Sequence, residues 1–217
     1  MFSAADAKAL RKQLTPIDLS GPQTEPTPTL TAYRRHYGID NNSLGTSHSH
    51  RIGTCRSGDY TLIVQHFQLP AAGAGTAFLL HGYYDHAGLY GHLIRQCLAL
   101  GYSVVIMDLP GHGLSSGKPA SIGSFEEYSE ALESVLALAA KLPRPWVGIG
   151  QSTGCAIIMD SLLHRNLDER FGLAHYVLLC PLLYPVGWSL SRYVFYLTRS
   201  FLPRIRRRFA RNSHDDS

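Results

Sequence analysis

Four short and continuously apolar runs alternate with helix-like segments, and this alternation limits the fold more than any other feature of the chain. The runs are residues 76–80, 103–107, 145–150 and 176–180. Strands that are apolar along their whole length are typical of a parallel sheet with helices on both faces. We therefore expect an α/β fold with a mostly parallel sheet, preceded by an antiparallel hairpin of residues 48–55 and 60–69.

The segments around these runs carry helix signals. Residues 31–37 favour one or two helical turns, and residues 89–100 favour a helix that ends at Gly101. Ser124 and Glu127 have the spacing of a capping box, which predicts the start of another helix. A further helix is expected over residues 155–164. The N-terminal 30 residues indicate a short helix followed by a Pro- and Thr-rich arm on the surface.

Composition and charge indicate one globular domain with a basic tail. The chain has 217 residues, of which 45% are hydrophobic and 17% charged, and this suits one globular domain. The net charge is 20 − 16 = +4, but residues 192–217 alone hold seven Arg and two Asp, or +5, which leaves −1 for the rest. Any attraction to phosphate or an anionic membrane is therefore expected from the tail.

The cysteine spacing and the N-terminal sequence indicate the cellular compartment in which we expect the protein. The four cysteines form no C-x-x-C pair, which argues against zinc and thioredoxin-like sites and favours buried thiols in a reducing compartment. No apolar signal-peptide core opens the chain. Residues 171–191 are poor in charge, but Pro181 and Pro185 interrupt them, and their first half is expected to be a buried strand rather than a membrane span. We expect a cytoplasmic protein.

The segment Gly150–Gly154, with the pattern G-x-S-x-G, lies between the third apolar run and the helix after it. Glycines at both ends allow a sharp turn and close packing of helix on strand. Such a turn presents Ser152 above the carboxyl ends of the strands, where open α/β sheets bind ligands. The alternative is an ordinary glycine-rich turn with a capping serine.

Two other loops are expected at the same edge. His81–His86 follows the first apolar run, and its histidines are expected to shape the loop rather than carry protons. Asp108–Gly117 follows the second run, with Asp108 as a loop organiser and glycines on both sides of His112 for a tight turn.

Together these motifs resemble the α/β-hydrolase superfamily, and within it the monoacylglycerol lipase, lysophospholipase and serine-aminopeptidase-like branch. The resemblance is carried by residues 81–86 with Tyr90, by residues 108–117 and by residues 150–154. It implies a serine esterase in which Ser152 is the nucleophile and the backbone N–H groups of Tyr83 and Thr153 form the oxyanion hole. The supporting loop residues would be His81, Gly82, His86, Gly150 and Gly154. The resemblance implies no metal and no organic cofactor, and a small lipid or ester as the substrate.

The family's triad also needs an acid and a histidine that follow the nucleophile. After Ser152 the chain offers His164, His175 and His214, and none is expected near the serine. The acids Asp160, Asp168 and Glu169 are expected to face solvent. We therefore expect a truncated hydrolase that lacks the last strands and is impaired in catalysis. Its final strand would form an exposed edge through which copies of the chain could associate.

Three parts are expected along the chain: an arm and short helix over residues 1–46, an incomplete hydrolase core over 47–183, and a basic aromatic start of a cap with the tail over 184–217. Residues 192–211 suit either a cap helix or a peripheral membrane contact. Nucleic acid binding is not expected, because no reader fold accompanies the charge. Two alternatives to the esterase stay open: a non-catalytic interaction protein and a membrane-peripheral protein on the same scaffold.

Overall fold

The computed structural model describes residues 2–70 and 73–181, which fall in one unit of the chain, Met1–Pro181. The strands are β1 (Ser49–Ser57), β2 (Tyr60–Gln68), β3 (Gly75–Leu80), β4 (Tyr102–Asp108), β5 (Trp146–Gln151) and β6 (Leu173–Leu179). The helices are α1 (Ala4–Gln13), α2 (Pro28–His36), α3 (Asn41–Leu44), α4 (Gly91–Ala99), α5 (Glu126–Leu138), α6 (Thr153–Arg165) and α7 (Leu167–Phe171). A 3₁₀ turn, Ala87–Tyr90, leads into α4.

The six strands form one sheet in the order β1-β2-β4-β3-β5-β6. The β1–β2 and β2–β4 pairs are antiparallel, and the β4–β3, β3–β5 and β5–β6 pairs are parallel. The predicted α/β fold with a hairpin before a parallel sheet is confirmed. Because β4, β3 and β5 are neighbours and run parallel, the loops that follow these three strands leave the same edge of the sheet.

Helices cover both faces of the central strands, as the apolar runs predict. Phe78 and Leu80 of β3 pack in a cluster with side chains of α5 and α6. Ala77 and Leu79 pack on the other face with side chains of α1, α2 and α4. The strand period of two residues thus places alternate side chains of β3 in two separate cores.

The predicted surface arm lies between leucines that are deeply buried. Leu10 and Leu30 are 1% exposed and Leu19 is 2% exposed. The chain around Leu19 is tied to β1, since the N–H of Ile17 donates to the carbonyl of Thr54 at 2.9 Å. The Pro- and Thr-rich arm, residues 21–28, contains no buried residue, as predicted, whereas the leucines before and after it fill the cores on either side of the sheet.

The capping box predicted at Ser124 and Glu127 is absent. Helix α5 begins one residue later, and Phe125, the residue before its first turn, has a helical conformation and makes no side-chain cap. The Glu127 carboxylate instead accepts hydrogen bonds from the Tyr60 hydroxyl at 2.6 Å and the Gly123 N–H at 3.1 Å. A tertiary contact with β2 therefore takes the side chain that the local pattern assigned to the cap.

Strand β6 differs from the buried strand that its sequence predicts. In the described part of the chain it pairs with β5 alone, and Val177, Leu178 and Leu179 are 43%, 37% and 38% exposed. Its apolar composition therefore does not correspond to burial on both faces. These residues form the exposed edge of the sheet that we expect at the final strand.

Cys55, Cys97 and Cys155 are buried free thiols, whereas Cys180, just after β6, is exposed. Among residues 2–70 and 73–181, no helix combines the length and apolar character needed to cross a bilayer. The same residues hold no cluster of three or more His, Cys, Asp or Glu side chains suited to a metal ion.

Candidate active site

Ser152 occupies the sharp turn between β5 and α6, where the G-x-S-x-G pattern predicts it. Its backbone has φ +50° and ψ −107°, a conformation that residues with a Cβ atom rarely adopt. The Ser152 N–H donates to the carbonyl of Leu179 at 3.0 Å, and its own carbonyl accepts from the N–H of Cys155 at 3.1 Å. Strained backbone of this kind persists where surrounding structure enforces it, and it is concentrated at functional sites.

The two glycines of the turn allow this conformation because the backbone is packed too closely for a side chain. A Cβ atom at Gly150 would lie 2.6 Å from the backbone nitrogen of Cys155. A Cβ atom at Gly154 would overlap the carbonyl of Leu80, the last residue of β3. The glycines therefore let α6 start directly against the ends of β3 and β5, as the sequence predicts.

A hydrogen-bond network around Tyr90 joins the loop after β3 to the serine turn. The Tyr90 hydroxyl accepts from the N–H of Gly82 at 2.9 Å. It lies 3.0 Å from Oε1 of Gln151 and 3.1 Å from Oδ2 of Asp85, the two acceptors for its proton. Burial and the nearby Asp85 carboxylate raise the pKa of Tyr90, so the hydroxyl stays protonated.

The network includes residues that were not predicted from the sequence to take part in the site. From the sequence, Tyr90 is only one residue of the family motif, and no role is predicted for Gln151 or Asp85. Gln151 is the residue before Ser152, and Oε1 of its side chain lies so close to Gly82 that a Cβ atom there would overlap it. The position of Gln151 within the G-x-S-x-G pattern is the signal that could have identified it.

Tyr83 and Thr153 lie on the two segments that this network brings together. Tyr83 follows Gly82, is 46% exposed, and donates from its hydroxyl to the carbonyl of Ala120. Thr153 is buried and is the first residue of α6, so its N–H has no acceptor within the helix. The first turn of a helix carries partial positive charge, which favours an anion near this N–H.

His81 joins the loops after β3 and β4. Its Nε2 accepts from the N–H of Leu109 at 2.9 Å, and its Nδ1 donates to the carbonyl of Gly82 at 2.7 Å. Burial lowers the pKa of His81 to about 4, so the ring is neutral near pH 7. His86 accepts from the N–H of Gly88 at 3.2 Å and packs on Tyr37. Both histidines make the loop contacts expected of them.

Asp108 organises the neighbouring loop, as the sequence predicts. Its side chain is fully buried, and its carboxylate accepts from the N–H groups of Ala87 and Leu114, each at 2.7 Å. Its carbonyl accepts from the Ser115 hydroxyl at 2.6 Å. The carboxylate thus fixes two loops at the edge of the sheet that carries the serine turn.

The histidines after Ser152 are placed away from it. His164 lies near the end of α6 with Nδ1 3.0 Å from Asp160, and His175 lies in the amino-terminal half of β6. His214 lies outside the described residues. Within residues 2–70 and 73–181, no histidine forms a hydrogen bond with the Ser152 hydroxyl.

The acids after Ser152 divide into two kinds. Asp168 and Glu169 on α7 are exposed, as expected. Asp160 is only 24% exposed and accepts from the Ser129 hydroxyl at 2.7 Å, so the expectation that it faces solvent was wrong. Ser129 on α5 covers it because α5 and α6 pack together.

Comparisons with known proteins agree with this geometry. A family described as serine aminopeptidase, S33, matches residues 72–215. Monoacylglycerol lipase from Mycolicibacterium smegmatis is 35% identical over 88 residues, which cover 39% of this chain and 31% of that protein. Phospholipase YtpA from Bacillus subtilis is 30% identical over 95 residues, which cover 44% of this chain and 37% of that protein.

Among solved structures, a predicted CIB-like hydrolase from Thermoplasma acidophilum superposes with a TM-score of 0.50 at 16% identity, covering 62% of this chain and 64% of that one. This likeness supports the fold alone. The matches with the two curated relatives span about a third of their lengths. On the match over residues 72–215 and the α/β-hydrolase sheet, the chain belongs to the serine aminopeptidase S33 family.

Proposed function

We propose that this chain carries the nucleophile part of a serine hydrolase that cleaves carboxylic esters, with Ser152 as the nucleophile. The observation that carries the proposal is the positive φ of Ser152 in a turn between β5 and α6, where both flanking glycines lack room for a side chain. Enforced strain at a serine above the carboxyl ends of parallel strands is what an α/β-hydrolase nucleophile requires. The Ser152 oxygen attacks the ester carbonyl, the bond from the acyl carbon to the alcohol oxygen breaks, the alcohol leaves with the proton of the serine hydroxyl, and the acyl group stays on Ser152.

The backbone N–H groups of Tyr83 and Thr153 are proposed to stabilise the oxyanion that forms during this attack. Thr153 supplies the N–H at the start of α6, and Tyr83 supplies the N–H from the loop after β3. His81, Gly82 and His86 shape that loop through the hydrogen bonds given above. Gly150 and Gly154 hold the serine turn against β3. Correctly placed donors of this kind contribute about 3–4 kcal/mol each to transition-state stabilisation.

We propose that residues 2–70 and 73–181 do not supply the base and acid, and that acyl transfer by this chain is weak. His164 and His175 are the described histidines that follow Ser152, and neither contacts it. Loss of the base in a serine protease reduces kcat by about 10⁶, leaving about 10³–10⁴ over the uncatalysed reaction. An esterase without these groups is expected to retain ligand binding and an oxyanion hole.

The proposed substrate is a monoacylglycerol or a lysophospholipid. Support comes from the names of the two curated relatives, a monoacylglycerol lipase and a phospholipase. It also comes from apolar side chains on the loop after β3, where Tyr83, Tyr84 and Leu89 are 46%, 75% and 54% exposed. Exposed aromatic and aliphatic groups on a loop that leaves the same edge of the sheet as the serine turn would contact an acyl chain favourably.

Covalent labelling by a fluorophosphonate probe tests the nucleophile. The full chain, Ser152→Ala and Ser124→Ala would be compared, since Ser124 is exposed and lies before α5. We expect slow labelling that is lost in Ser152→Ala and kept in Ser124→Ala. Equal labelling of all three proteins, or no labelling of a folded sample, would refute the role of Ser152.

A second candidate function is a non-catalytic interaction through β6. The three apolar residues at its end are exposed on an edge strand, and such edges pair readily with another strand. The proposed occupant is β6 of a second copy. Sedimentation analysis would show a dimer that Leu178→Lys dissociates and Leu163→Lys, at another exposed leucine, leaves intact. A monomer in the unmodified chain would exclude this function.

A peripheral membrane contact through residues 192–211 is proposed on their arginine and aromatic content alone, because these residues lie outside the described part of the chain. Flotation with anionic vesicles tests it. Binding that is lost on deletion of residues 192–217 would support the contact, and binding that survives the deletion would contradict it.

A further inference from the structure

Cys155 lies beside the serine turn, three residues after Ser152 and in the first turn of α6. Its side chain is completely buried, with 0% exposure. The backbone of Cys155 is part of the turn, because its N–H donates to the carbonyl of Ser152 at 3.1 Å. The thiol therefore lies next to the proposed nucleophile without facing solvent.

The Cys155 thiol contacts the carbonyl groups of two neighbouring strands. Its Sγ donates to the carbonyl of Gly150 in β5 at 3.0 Å and to that of Leu179, the last residue of β6, at 3.2 Å. A thiol has one proton, which these two acceptors share. One side chain thus connects the first turn of α6 to the carboxyl ends of β5 and β6.

The carbonyl of Leu179 is an acceptor that Cys155 shares with Ser152. It accepts from the N–H of Ser152 at 3.0 Å as well as from the thiol. A carbonyl oxygen has two lone pairs, so both hydrogen bonds form at once. The thiol therefore holds the same strand end to which the Ser152 backbone is bound.

The strained backbone of Ser152 depends on contacts of this kind. Its φ of +50° is unfavourable for a residue with a Cβ atom, and such strain persists only where the surrounding structure enforces it. Before the serine, the carbonyl of Gly150 is bound by the thiol; after the serine, its own carbonyl is bound by the Cys155 N–H. The hydrogen bonds of one residue thus enclose the turn on both sides.

The Cys155 thiol keeps the proton that these hydrogen bonds require. Burial raises the pKa of the thiol above its usual value. Both of its oxygen neighbours are carbonyl groups, which accept hydrogen bonds and do not donate them. Buried cysteines of this kind are chemically inert. The side chain is therefore a hydrogen-bond donor rather than a second nucleophile.

We propose that the Cys155 thiol is a positioning group for Ser152, which fixes the strained conformation of the turn through its hydrogen bonds to Gly150 and Leu179. This inference rests on the proposed role of Ser152 as the nucleophile. Cys155 does not touch the reacting atoms, because it acts through the backbone on either side of the serine. A nucleophile displaced by about 1 Å can react about 100-fold more slowly, so loss of the thiol should reduce the reactivity of Ser152.

Cys155→Ala and Cys155→Ser separate the hydrogen bonds from packing, since alanine and serine are similar in size and only serine keeps a donor. We expect fluorophosphonate labelling of Ser152 in the full chain to slow by about tenfold or more in Cys155→Ala and to stay close to normal in Cys155→Ser. Cys97→Ala, at another buried thiol, should leave labelling unchanged. Equal slowing in the two Cys155 variants would assign the effect to packing and overturn the proposal, as would normal labelling of folded Cys155→Ala.

Amide hydrogen exchange provides a readout that does not depend on activity. The Ser152 N–H should exchange about tenfold or more faster in Cys155→Ala than in Cys155→Ser, because its acceptor Leu179 is less firmly held. The Thr76 N–H, which donates to the carbonyl of Pro145 at the other end of the sheet, should change much less. An equal acceleration at both amides would reflect global stability, and an unchanged rate at Ser152 would show that the thiol does not hold the turn. Either result would overturn the proposal.

The two measurements distinguish failure of this proposal from failure of the proposed function. No labelling of the folded, unmodified chain would refute Ser152 as the nucleophile. Faster exchange at Ser152 in Cys155→Ala alone would then still support the thiol as the group that holds the turn, and unchanged exchange would refute that role as well.

Discussion

The carboxylate of Asp108 accepts a hydrogen bond from the N–H of Leu114 at 2.7 Å. The two residues lie six positions apart, at the start and middle of the loop that follows β4, so the bond closes this loop on itself. The same carboxylate accepts from Ala87 in the next loop. One buried side chain thus fixes the backbone of two loops beside Ser152.

Asp108→Ala should therefore lower the free energy of unfolding by about 2–5 kcal/mol, because it leaves two buried N–H groups without acceptors. Urea denaturation followed by circular dichroism measures the loss. Asp59→Ala, in the exposed hairpin turn, serves as the control and should change stability by less than about 0.5 kcal/mol. Equal stability of the two variants would show that Asp108 does not organise the loops.

Gly113 and Gly58 offer a matched pair of glycines with nearly the same backbone, φ +51° and φ +52°. A Cβ atom at Gly58 meets nothing within 4 Å, whereas one at Gly113 would overlap the carboxylate of Asp108. Gly58→Ala should cost about 1 kcal/mol from backbone conformation alone. Gly113→Ala should lower the free energy of unfolding by about 1–3 kcal/mol more, because of overpacking. Thermal or urea unfolding measures both losses. Similar losses would mean that the loop yields freely.

Tyr90→Phe removes the acceptor of the Gly82 N–H and the hydrogen bond to Gln151 or Asp85. We expect stability to fall by about 1–3 kcal/mol and fluorophosphonate labelling of Ser152 to slow, because the loop that carries Tyr83 loses its anchor. Tyr84→Phe, at a side chain that is 75% exposed, should change neither quantity. Unchanged labelling in a folded Tyr90→Phe protein would contradict a positioning role for Tyr90.

The buried histidines predict a loss of stability in mild acid. Burial and the nearby Arg51 lower the pKa of His66 to about 4, below the usual histidine value near 6.5. Between these values the unfolded chain binds a proton that the folded chain does not, so stability falls as pH decreases from about 6.5 to 4. The contribution of His66 is a loss of about 2 kcal/mol between pH 7 and pH 5.

Urea unfolding at a series of pH values would check this loss. His66→Gln should make the pH dependence less steep by the contribution of this one group, while His92→Gln, at an exposed histidine, should leave the slope unchanged. A slope that is the same in the His66→Gln protein would show that His66 is not the group that titrates.

Local patterns in the sequence determine most of the elements. The apolar runs become β3, β4, β5 and β6, and the short turn at Gly58 becomes a hairpin. These predictions succeed because strand formation and turn conformation depend on nearby residues. The G-x-S-x-G turn is predictable for the same reason, since Gly150, Ser152 and Gly154 act within five positions of one another.

Contacts between distant residues decided the rest. Glu127 pairs with Tyr60, 67 positions away, instead of completing a capping box. Val177 is as apolar as a buried residue, but its strand has one neighbour in the described sheet, so the residue is exposed. The Tyr90 network was likewise not apparent in the sequence. Each depends on which loops and strands become neighbours, and that follows from packing of the whole sheet rather than from any local pattern.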